Sequence, residues 1–214
     1  MLVLDDVHLV VAAGEVVGIH GPSGSGKSTL LRLIAGLEQP HSGEVILAGR
    51  SVWPPGARQP QLPCPGFVMP IFQDPSASLD PRWPVWRTMT EPLVAPHRPH
   101  PPDRAGRRAI ARDRLDEVRL AAVDLDARPG ALSGGQCQRI AVLRALAAAP
   151  ALVIADEPTA RQDVITASVV GSLFRQAAST GTAFVVVSHD RRWLDAVADR
   201  TISLSVPRRG DPDG

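Results

Sequence analysis

The sequence contains no tyrosine, no asparagine and a single lysine among its 214 residues, and aromatic residues make up only 4% of it. The two cysteines, Cys64 and Cys137, are too few for a disulfide framework and match no paired metal-ligand spacing. We find no N-terminal signal segment and no apolar run near the roughly 20 residues that span a bilayer. We therefore expect a soluble, cytoplasmic protein and exclude secreted disulfide-rich and membrane-spanning classes.

An excess of charge of either sign is also lacking, because 23 basic residues face 22 acidic ones and the net charge is +1. This balance argues against a dedicated nucleic-acid binder. Apolar residues make up 44% of the chain, which is sufficient for a packed core. Of the 23 basic residues, 22 are arginine and one, Lys27, is lysine. Lys27 is thus the one position where the chain carries a compact ammonium and not a planar guanidinium.

Strand-like and helix-like patterns alternate at both ends of the chain. Before residue 50, apolar β-branched runs predict strands at 7–11, 15–20 and 44–48, and leucine spacing predicts a helix over 30–37. After residue 133, the patterns predict helices and buried strands in alternation: helix 136–149, strand 152–155, helix 164–178, strand 183–188 and helix 190–200. This alternation is typical of an α/β protein with a parallel sheet.

The middle of the chain differs in composition. Residues 54–102 contain 14 of the 21 prolines, which predicts an irregular surface insertion without long helices. Residues 103–122 predict an arginine-rich amphipathic helix whose charges form a solvated face. We therefore predict one domain over 1–214, with a core formed by 1–53 and 132–214 and an inserted subdomain, a proline-rich loop plus helices, over 54–131.

A glycine-rich segment fits the phosphate-binding loop pattern. Glycines let successive backbone N–H groups point at phosphate oxygens, and the helix that follows presents its positive N-terminus to the same anion. Lys27 then places an ammonium on the β- and γ-phosphates, and the Ser28 hydroxyl ligates Mg²⁺. The predicted ATP-binding residues are Gly21, Pro22, Ser23, Gly24, Ser25, Gly26, Lys27, Ser28 and Thr29.

Two acids, Asp156 and Glu157, end the predicted strand at 152–155. Asp156 is placed to reach the Mg²⁺ shell, and Glu157 to orient and deprotonate an attacking water. An Asp-Glu pair at a strand end is weak evidence by itself, because acids are common there. The presence of the phosphate loop in the same chain makes the catalytic interpretation specific.

A third motif, Leu132-Ser133-Gly134-Gly135-Gln136, places a serine cap and two glycines at a predicted helix start, a second anion-binding end. Together with the phosphate loop, the strand-end acids, Gln73 in segment 72–75 and His189 in segment 187–190, it resembles the signature of ATP-binding-cassette (ABC) ATPases. The resemblance covers nearly the whole chain. It implies an α/β P-loop NTPase fold with a parallel-sheet core, an N-terminal antiparallel β portion and an inserted helical subdomain.

The resemblance also implies a role for each motif. Two such domains pair head to tail with ATP between one phosphate loop and the other domain's signature, so residues 132–136 would act on the partner's ATP. Gln73 would contact Mg²⁺ and the attacking water, and His189 would bind the γ-phosphate and hold Glu157. The implied catalytic residues are Lys27, Gln73, Glu157 and His189, and the implied metal ligands are Ser28, Gln73 and Asp156.

A narrower resemblance concerns residues 72–81, FQDPSASLDP, and 91–93, EPL. This stretch is similar to the peptide/nickel importer branch of ABC ATPases. Accessory ATPases of phosphonate breakdown carry a similar stretch, so it indicates a branch and does not identify a cargo.

Three features depart from the family pattern. No aromatic residue precedes the first strand to stack on adenine, so ATP is gripped weakly, another aromatic substitutes, or the start at Met1 is placed too late. The segment Ala160-Arg161-Gln162-Asp163 replaces the usual Ser-Ala-Leu-Asp of a loop between the two ATP sites; Asp163 is kept, but coupling across the dimer is in question. Cys137 stands where a basic residue is usual, and we interpret it as a tolerated small side chain in preference to a reactive thiol.

Three functions remain as expectations. In the first, the chain binds and hydrolyses ATP with Mg²⁺ as the energising subunit of an importer, peripheral on the inner face of the cell membrane. Its partners would be a second ABC ATPase domain (in a homo- or heterodimer), integral membrane permeases and a solute-binding protein. The alternatives are a soluble accessory ATPase of a multi-subunit complex and a weakly active degenerate copy. The stretch at 72–93 favours transport.

Overall fold

The computed structural model describes residues 3–74, 78–95, 100–160 and 162–205. Within these residues the centre of the fold is a five-stranded, all-parallel sheet with the order β4-β5-β6-β1-β7. Its strands are β1 (Val16–His20), β4 (Val68–Ile71), β5 (Leu152–Asp156), β6 (Ala183–Val187) and β7 (Arg200–Ser203). The α/β fold class predicted from the alternation is confirmed.

The three inner strands form because their residues are β-branched or small and are covered on both faces. All five residues of β6 are buried, as are the first four of β1 and of β5. A parallel sheet with helices on both faces requires such continuous apolar runs. The predicted strands at 15–20, 152–155 and 183–188 therefore agree with the structure to within one residue at each end.

Six α-helices surround the sheet within the described residues. They are α1 (Lys27–Ile34), α2 (Val85–Thr90), α3 (Arg104–Glu117), α4 (Gly134–Ala147), α5 (Val164–Ser179) and α6 (Arg191–Val197). Side chains cap four of them: Asp103, Ser133, Asp163 and Asp190 each accept a hydrogen bond from a backbone N–H of the first turn. Such caps satisfy donors that have no partner inside the helix, which explains why these helices begin where they do.

The predicted N-terminal antiparallel β portion is present as one short pair of strands. An antiparallel pair joins β2 (Ile46–Leu47) and β3 (Arg50–Ser51), in agreement with the strand predicted near 44–48. The strand predicted over 7–11 is wrong, because these residues form no strand. Their alternating exposure shows that the chain is extended, but no described strand pairs with it.

The proline-rich region contributes a strand to the main sheet, which the sequence interpretation missed. Val68–Ile71 pairs in parallel with β5, Ile71 opposite Ala155. Pro70 has no backbone N–H to donate to a neighbouring strand. It is tolerated because β4 is an edge strand, and one side of its backbone pairs with no described strand. This strand lies within the range 54–131 that the sequence predicts as inserted, and the domain division stays a prediction.

The end of the chain also differs from the prediction. The helix expected over 190–200 stops at Val197, and Arg200–Ser203 returns to the sheet as β7 beside β1. A four-residue edge strand with three polar side chains has no periodic signal, so only its pairing with β1 identifies it.

Two apolar clusters cover the faces of the sheet. One lies under α4, α5 and α6, where Phe174 stacks on Phe184 with ring centroids 4.8 Å apart. The other packs Leu30 and Leu31 of α1 against Ile154 and Val185. None of the described helices is long and apolar enough to cross a membrane.

Candidate nucleotide-binding site

The predicted site residues meet at one edge of the sheet, where the parallel strands end. Ile19 of β1 and Asp156 of β5 both align with Val187 of β6, so the three strands end level with one another. The phosphate loop, the strand-end acids and His189 follow these three ends. Ligand sites in open α/β sheets lie at this carboxyl edge because the loops that leave the strands converge there.

The phosphate loop curls between β1 and α1, and two of its glycines are required by their surroundings. A side chain at Gly21 would collide with the backbone carbonyl of Leu204. Gly26 has φ +87°, and a Cβ there would lie 2.6 Å from Leu4 Cδ2. The N-terminal segment therefore packs against the end of the loop, while Met1 lies outside the described residues.

Lys27 is held inside this loop. It is 8% exposed, and its ammonium donates to the carbonyls of Gly21 at 2.8 Å and Pro22 at 2.9 Å. The hydroxyl of Ser25 is fully buried and has no hydrogen-bond partner among the described residues. The loop thus presents a buried cation and an unsatisfied hydroxyl, and both are donors that an oxyanion can accept from.

The structure brings together the three predicted magnesium ligands. Ser28 Oγ donates to Asp156 Oδ2 at 2.7 Å across 128 residues of sequence. Gln73 is exposed and lines the same pocket of about 230 Å³ as Ser28 and Asp156. A hydroxyl, an amide and a carboxylate are hard oxygen donors of the kind Mg²⁺ prefers. No group of three or more His, Cys, Asp or Glu side chains converges elsewhere in the described chain.

Glu157 is the buried acid of the site. It is 8% exposed, and its backbone adopts φ +52°, held by a hydrogen bond from its N–H to Val187 O at 3.0 Å. A non-glycine residue in this conformation is strained, and such strain is typical of functional positions. Burial raises the pKa of its carboxyl, while the backbone amide and the charge of His189 oppose this shift.

His189 reaches Glu157 from the neighbouring strand end. Its Nε2 lies 3.5 Å from Glu157 Oε1, which has no hydrogen-bond partner among the described residues, and the His189 side chain is 62% exposed. Capping fixes the turn around it: Asp190 N–H donates to Ser188 Oγ at 3.1 Å, and Asp190 Oδ1 accepts from Trp193 N–H at 3.0 Å. The imidazole therefore stands at the rim with one end on the buried acid and the other toward solvent.

The signature motif lies at the start of α4, apart from the chain's own phosphate loop. Ser133 and Gln136 form a reciprocal capping box, with Ser133 N–H to Gln136 Oε1 at 2.8 Å and Gln136 N–H to Ser133 Oγ at 3.2 Å. Space is open around Gly134 and Gly135. No hydrogen bond among the described residues links 132–136 to 21–29. The motif is therefore a formed helix start with open space around its two glycines.

Two arginines that the sequence interpretation did not single out position α4. Arg139 donates to the carbonyls of Gly135 and Val118, and Arg144 contacts Glu91 Oε2 at 3.3 Å and the carbonyl of Ser78 at 3.3 Å. They tie the signature helix to α3 and to the segment after Gln73. In a chain with 22 arginines, nothing in the sequence distinguishes them from surface arginines.

The departures from the family pattern are resolved in part. Cys137 is 2% exposed, its Sγ faces the carbonyl of Pro129, and burial raises the pKa of its thiol, so the interpretation as a small packing residue is confirmed.

In the loop before α5, Asp163 caps the helix and accepts from Thr166 N–H and Oγ1. The side-chain amide of Gln162 is buried without a partner among the described residues. Arg161, and residues 75–77 of the importer-like stretch, lie outside them.

A phosphate loop after one parallel strand and an Asp-Glu pair after another define a P-loop nucleotide-binding protein. A family model described as ABC transporter matches residues 4–160. The chain is 36% identical to the probable D,D-dipeptide transport ATP-binding protein DdpF of Escherichia coli K12, over 92% of this chain and 59% of DdpF. It is 37% identical to the nickel import ATP-binding protein NikE of Pseudomonas putida KT2440, over 94% of this chain and 73% of NikE.

The same class appears among solved structures. The ATP-binding cassette MJ0796, in a dimeric post-hydrolysis state bound to ADP and Pi, superposes with a TM-score of 0.81 at 31% identity, over 99% of this chain and 91% of that one. The chain belongs to the ABC transporter family of ATP-binding cassettes. It spans about three fifths of the length of DdpF.

Proposed function

We propose that this chain is an ATP-binding and ATP-hydrolysing subunit of an ABC importer. The observation that carries the proposal is the meeting of Ser28 Oγ and Asp156 Oδ2 at 2.7 Å beside a phosphate loop whose lysine is buried. These groups lie 128 residues apart in the sequence and suit the phosphates and metal of one Mg·ATP.

In this proposal the phosphate loop binds the nucleotide. Backbone N–H groups of 21–26 and the N-terminus of α1 surround the phosphates, and Lys27 exchanges the Gly21 and Pro22 carbonyls for phosphate oxygens. The metal would neutralise charge that develops on the phosphates. Ser28, Gln73 and Asp156 are the residues that would hold it.

Glu157 acts as the general base. Burial raises the pKa of its carboxyl toward the pH at which a base is still ionised but accepts a proton readily. His189, in contact with the carboxyl through Nε2, keeps Glu157 oriented and faces the solvent side of the site, where the γ-phosphate would lie.

A second ABC ATPase domain completes the site. The signature residues 132–136 form a capped helix start with open space around Gly134 and Gly135, so they are available to the nucleotide of another domain. The homologous cassette MJ0796 is dimeric. Asp163, at the start of α5, lies in the loop that would link the two ATP sites.

The relatives support an importer in preference to an accessory enzyme. DdpF is named for D,D-dipeptide transport and NikE for nickel import, and both are ATP-binding proteins. We therefore propose peptide- or nickel-type import through integral membrane permeases, with a solute-binding protein in the system. The chain would be cytoplasmic and peripheral on the inner face of the membrane.

The test is purification of the tagged chain from native membranes after mild crosslinking, with identification of the bound subunits. Recovery of integral membrane permeases that also stimulate Mg-dependent ATP hydrolysis supports import. Recovery of only soluble enzyme subunits contradicts import and favours an accessory ATPase. Absence of hydrolysis with and without these partners contradicts the catalytic part.

A further inference from the structure

A groove continues from the signature motif to the turn that follows α3. It has a volume of about 280 Å³, and two signature residues, Leu132 and Gln136, form part of its lining. The rest of the lining comes from residues 119–124 and from the alanines at 127 and 131. We call the following residues the signature groove: Arg119, Leu120, Val123, Asp124, Leu132 and Gln136.

The groove combines apolar surface with three kinds of polar group. Leu120 and Val123 are 4% and 8% exposed and supply the apolar part. Asp124 accepts from the backbone N–H of Asp126 through Oδ1 and interacts with an arginine through its charge, while its second oxygen makes no described hydrogen bond. Gln136 uses its Oε1 in the capping box, so its side-chain NH₂ group is still a donor. An apolar lining with one cation, one acceptor and one donor suits a nucleoside, which has a flat base and a ribose with two hydroxyls.

Arg119 has two features that folding does not require. Its backbone adopts φ +57° at the end of α3, where its N–H donates to Asp116 O at 3.1 Å. Glycine is favoured in this conformation, because a Cβ is strained there. The side chain is exposed and makes no hydrogen bond or ion pair with any part of the chain that the structure describes. A cation near a helix C-terminus is favourable, but Arg114 in the last turn of α3 already provides one.

The position of Arg119 is fixed relative to the signature. The guanidinium of Arg139, on α4, donates to Gly135 O at 3.1 Å and to Val118 O at 3.0 Å. One side chain therefore ties the signature backbone to the residue that precedes Arg119. A nucleotide whose phosphates lie against residues 132–136 would have its nucleoside part close to the groove.

We propose that the signature groove binds the base and ribose of the nucleotide held in the phosphate loop of a second copy of this chain. The inference rests on the proposed function, in which the signature acts on the nucleotide of another domain. Arg119 stacks its planar guanidinium on the base, as arginines do on unpaired bases. Asp124 accepts a hydrogen bond from a ribose hydroxyl, a role that carboxylates take in other nucleotide sites. The guanidinium supplies a flat surface for adenine that residues 3–15, which contain no aromatic side chain, do not supply.

The first test measures ATP-dependent dimer formation by light scattering in the E157Q chain, which is expected to bind ATP without rapid hydrolysis. Adding R119Q removes the planar cation, and we expect the ATP concentration for half-maximal dimer formation to increase at least about fivefold. The matched control R112Q removes another exposed arginine of α3 and should change this concentration by less than about twofold. R119K keeps the charge without the planar group and should resemble R119Q.

A mixing experiment tests whether the groove acts across the dimer. K27A loses the nucleotide but keeps the groove, whereas R119Q keeps the phosphate loop. A mixed dimer of the two contains one site with an intact loop and an intact groove. Mixing them should therefore lower the ATP concentration needed for dimer formation at least about threefold below that of R119Q alone. At protein concentrations too low for dimers, R119Q should bind ATP within about twofold of the E157Q chain.

Four results would each overturn the proposal: equal effects of R119Q and R112Q, full dimer formation by R119K, no gain on mixing, and weaker ATP binding by monomeric R119Q. A chain that forms no dimer with itself at any ATP concentration also overturns it. Mg-dependent ATP hydrolysis by the unchanged chain is measured separately. Intact hydrolysis without an effect of R119Q contradicts the groove alone, whereas absence of hydrolysis contradicts the proposed function.

Discussion

Substitution of Glu157 by glutamine tests the centre of the proposed chemistry. The side chain is 8% exposed, and its Oε1 lies 3.5 Å from His189 Nε2 and has no hydrogen-bond partner among the described residues. Glutamine keeps the volume and the length of the side chain but cannot accept a proton at neutral pH. The hydrogen bonds of Lys27 and of the Ser28–Asp156 contact do not involve this carboxyl, which interacts with Lys27 and Asp156 through its charge alone.

The expected effect follows from this separation. General base catalysis contributes roughly 10²- to 10⁴-fold to a rate, so E157Q should hydrolyse ATP at least about 100-fold more slowly. At 1.36 kcal/mol per decade, this is an increase of about 2.7 kcal/mol or more in the activation free energy. ATP affinity should change by less than about threefold, or ~0.7 kcal/mol, because the groups that would bind the phosphates remain.

The assay is phosphate release under saturating Mg·ATP, together with a binding titration using a fluorescent ATP analogue. E44Q, which neutralises an exposed acid outside the site, is the matched control and should hydrolyse at the rate of the unchanged chain. Hydrolysis by E157Q at that same rate would refute Glu157 as the base. Loss of nucleotide binding in E157Q would show that the carboxyl supports the loop as well.

The raised pKa of Glu157 gives the same residue a signature in pH. Below the pKa of the unfolded chain, near the ordinary value of about 4.3, the carboxyl is protonated in both states and contributes nothing to stability. As pH rises through the raised folded pKa, the buried charge forms and stability is lost. The difference in melting temperature between E157Q and the unchanged chain should therefore increase in favour of E157Q from acid to neutral pH. A difference that stays the same across this pH range would contradict the raised pKa of Glu157.

The remaining predictions concern the phosphate loop, the packing of α6 and the two thiols. K27A removes the buried ammonium and should weaken ATP binding roughly tenfold to hundredfold in a fluorescence titration, and unchanged affinity would refute the loop assignment. G18A places a Cβ 2.7 Å from Leu194 Cγ and should reduce the free energy of unfolding in urea by about 1–3 kcal/mol, whereas G130A, which enters open space, should change it little; equal effects would contradict the packing of α6 on β1. A thiol reagent should modify exposed Cys64 in the native chain and Cys137 only after denaturation, and rapid native modification of both would contradict the burial of Cys137.

The inner strands were predictable because their signal is local. In β1, β5 and β6 nearly every residue is apolar, since both faces of a parallel strand are covered, and the ends were located to within a residue. The edge strands were not predictable. β4 contains Pro70 in a proline-rich stretch, and β7 is short with three polar residues of four, so only pairing with β5 and β1 makes them strands. Residues 7–11 show the converse, because their alternation predicts a strand for which the described structure supplies no partner.

The sequence by itself determined which chemical groups the protein carries: the glycine-rich loop with its one lysine, the Asp-Glu pair, the serine–glycine signature and their order along the chain. The tertiary structure alone decided which of them meet. Parallel strands that end level bring Ser28 to Asp156 across 128 residues and place His189 beside Glu157. It also decided their environment, because the covered sheet buries Glu157 and raises its pKa. Proximity and burial depend on contacts between residues far apart in the chain, and no local pattern encodes them.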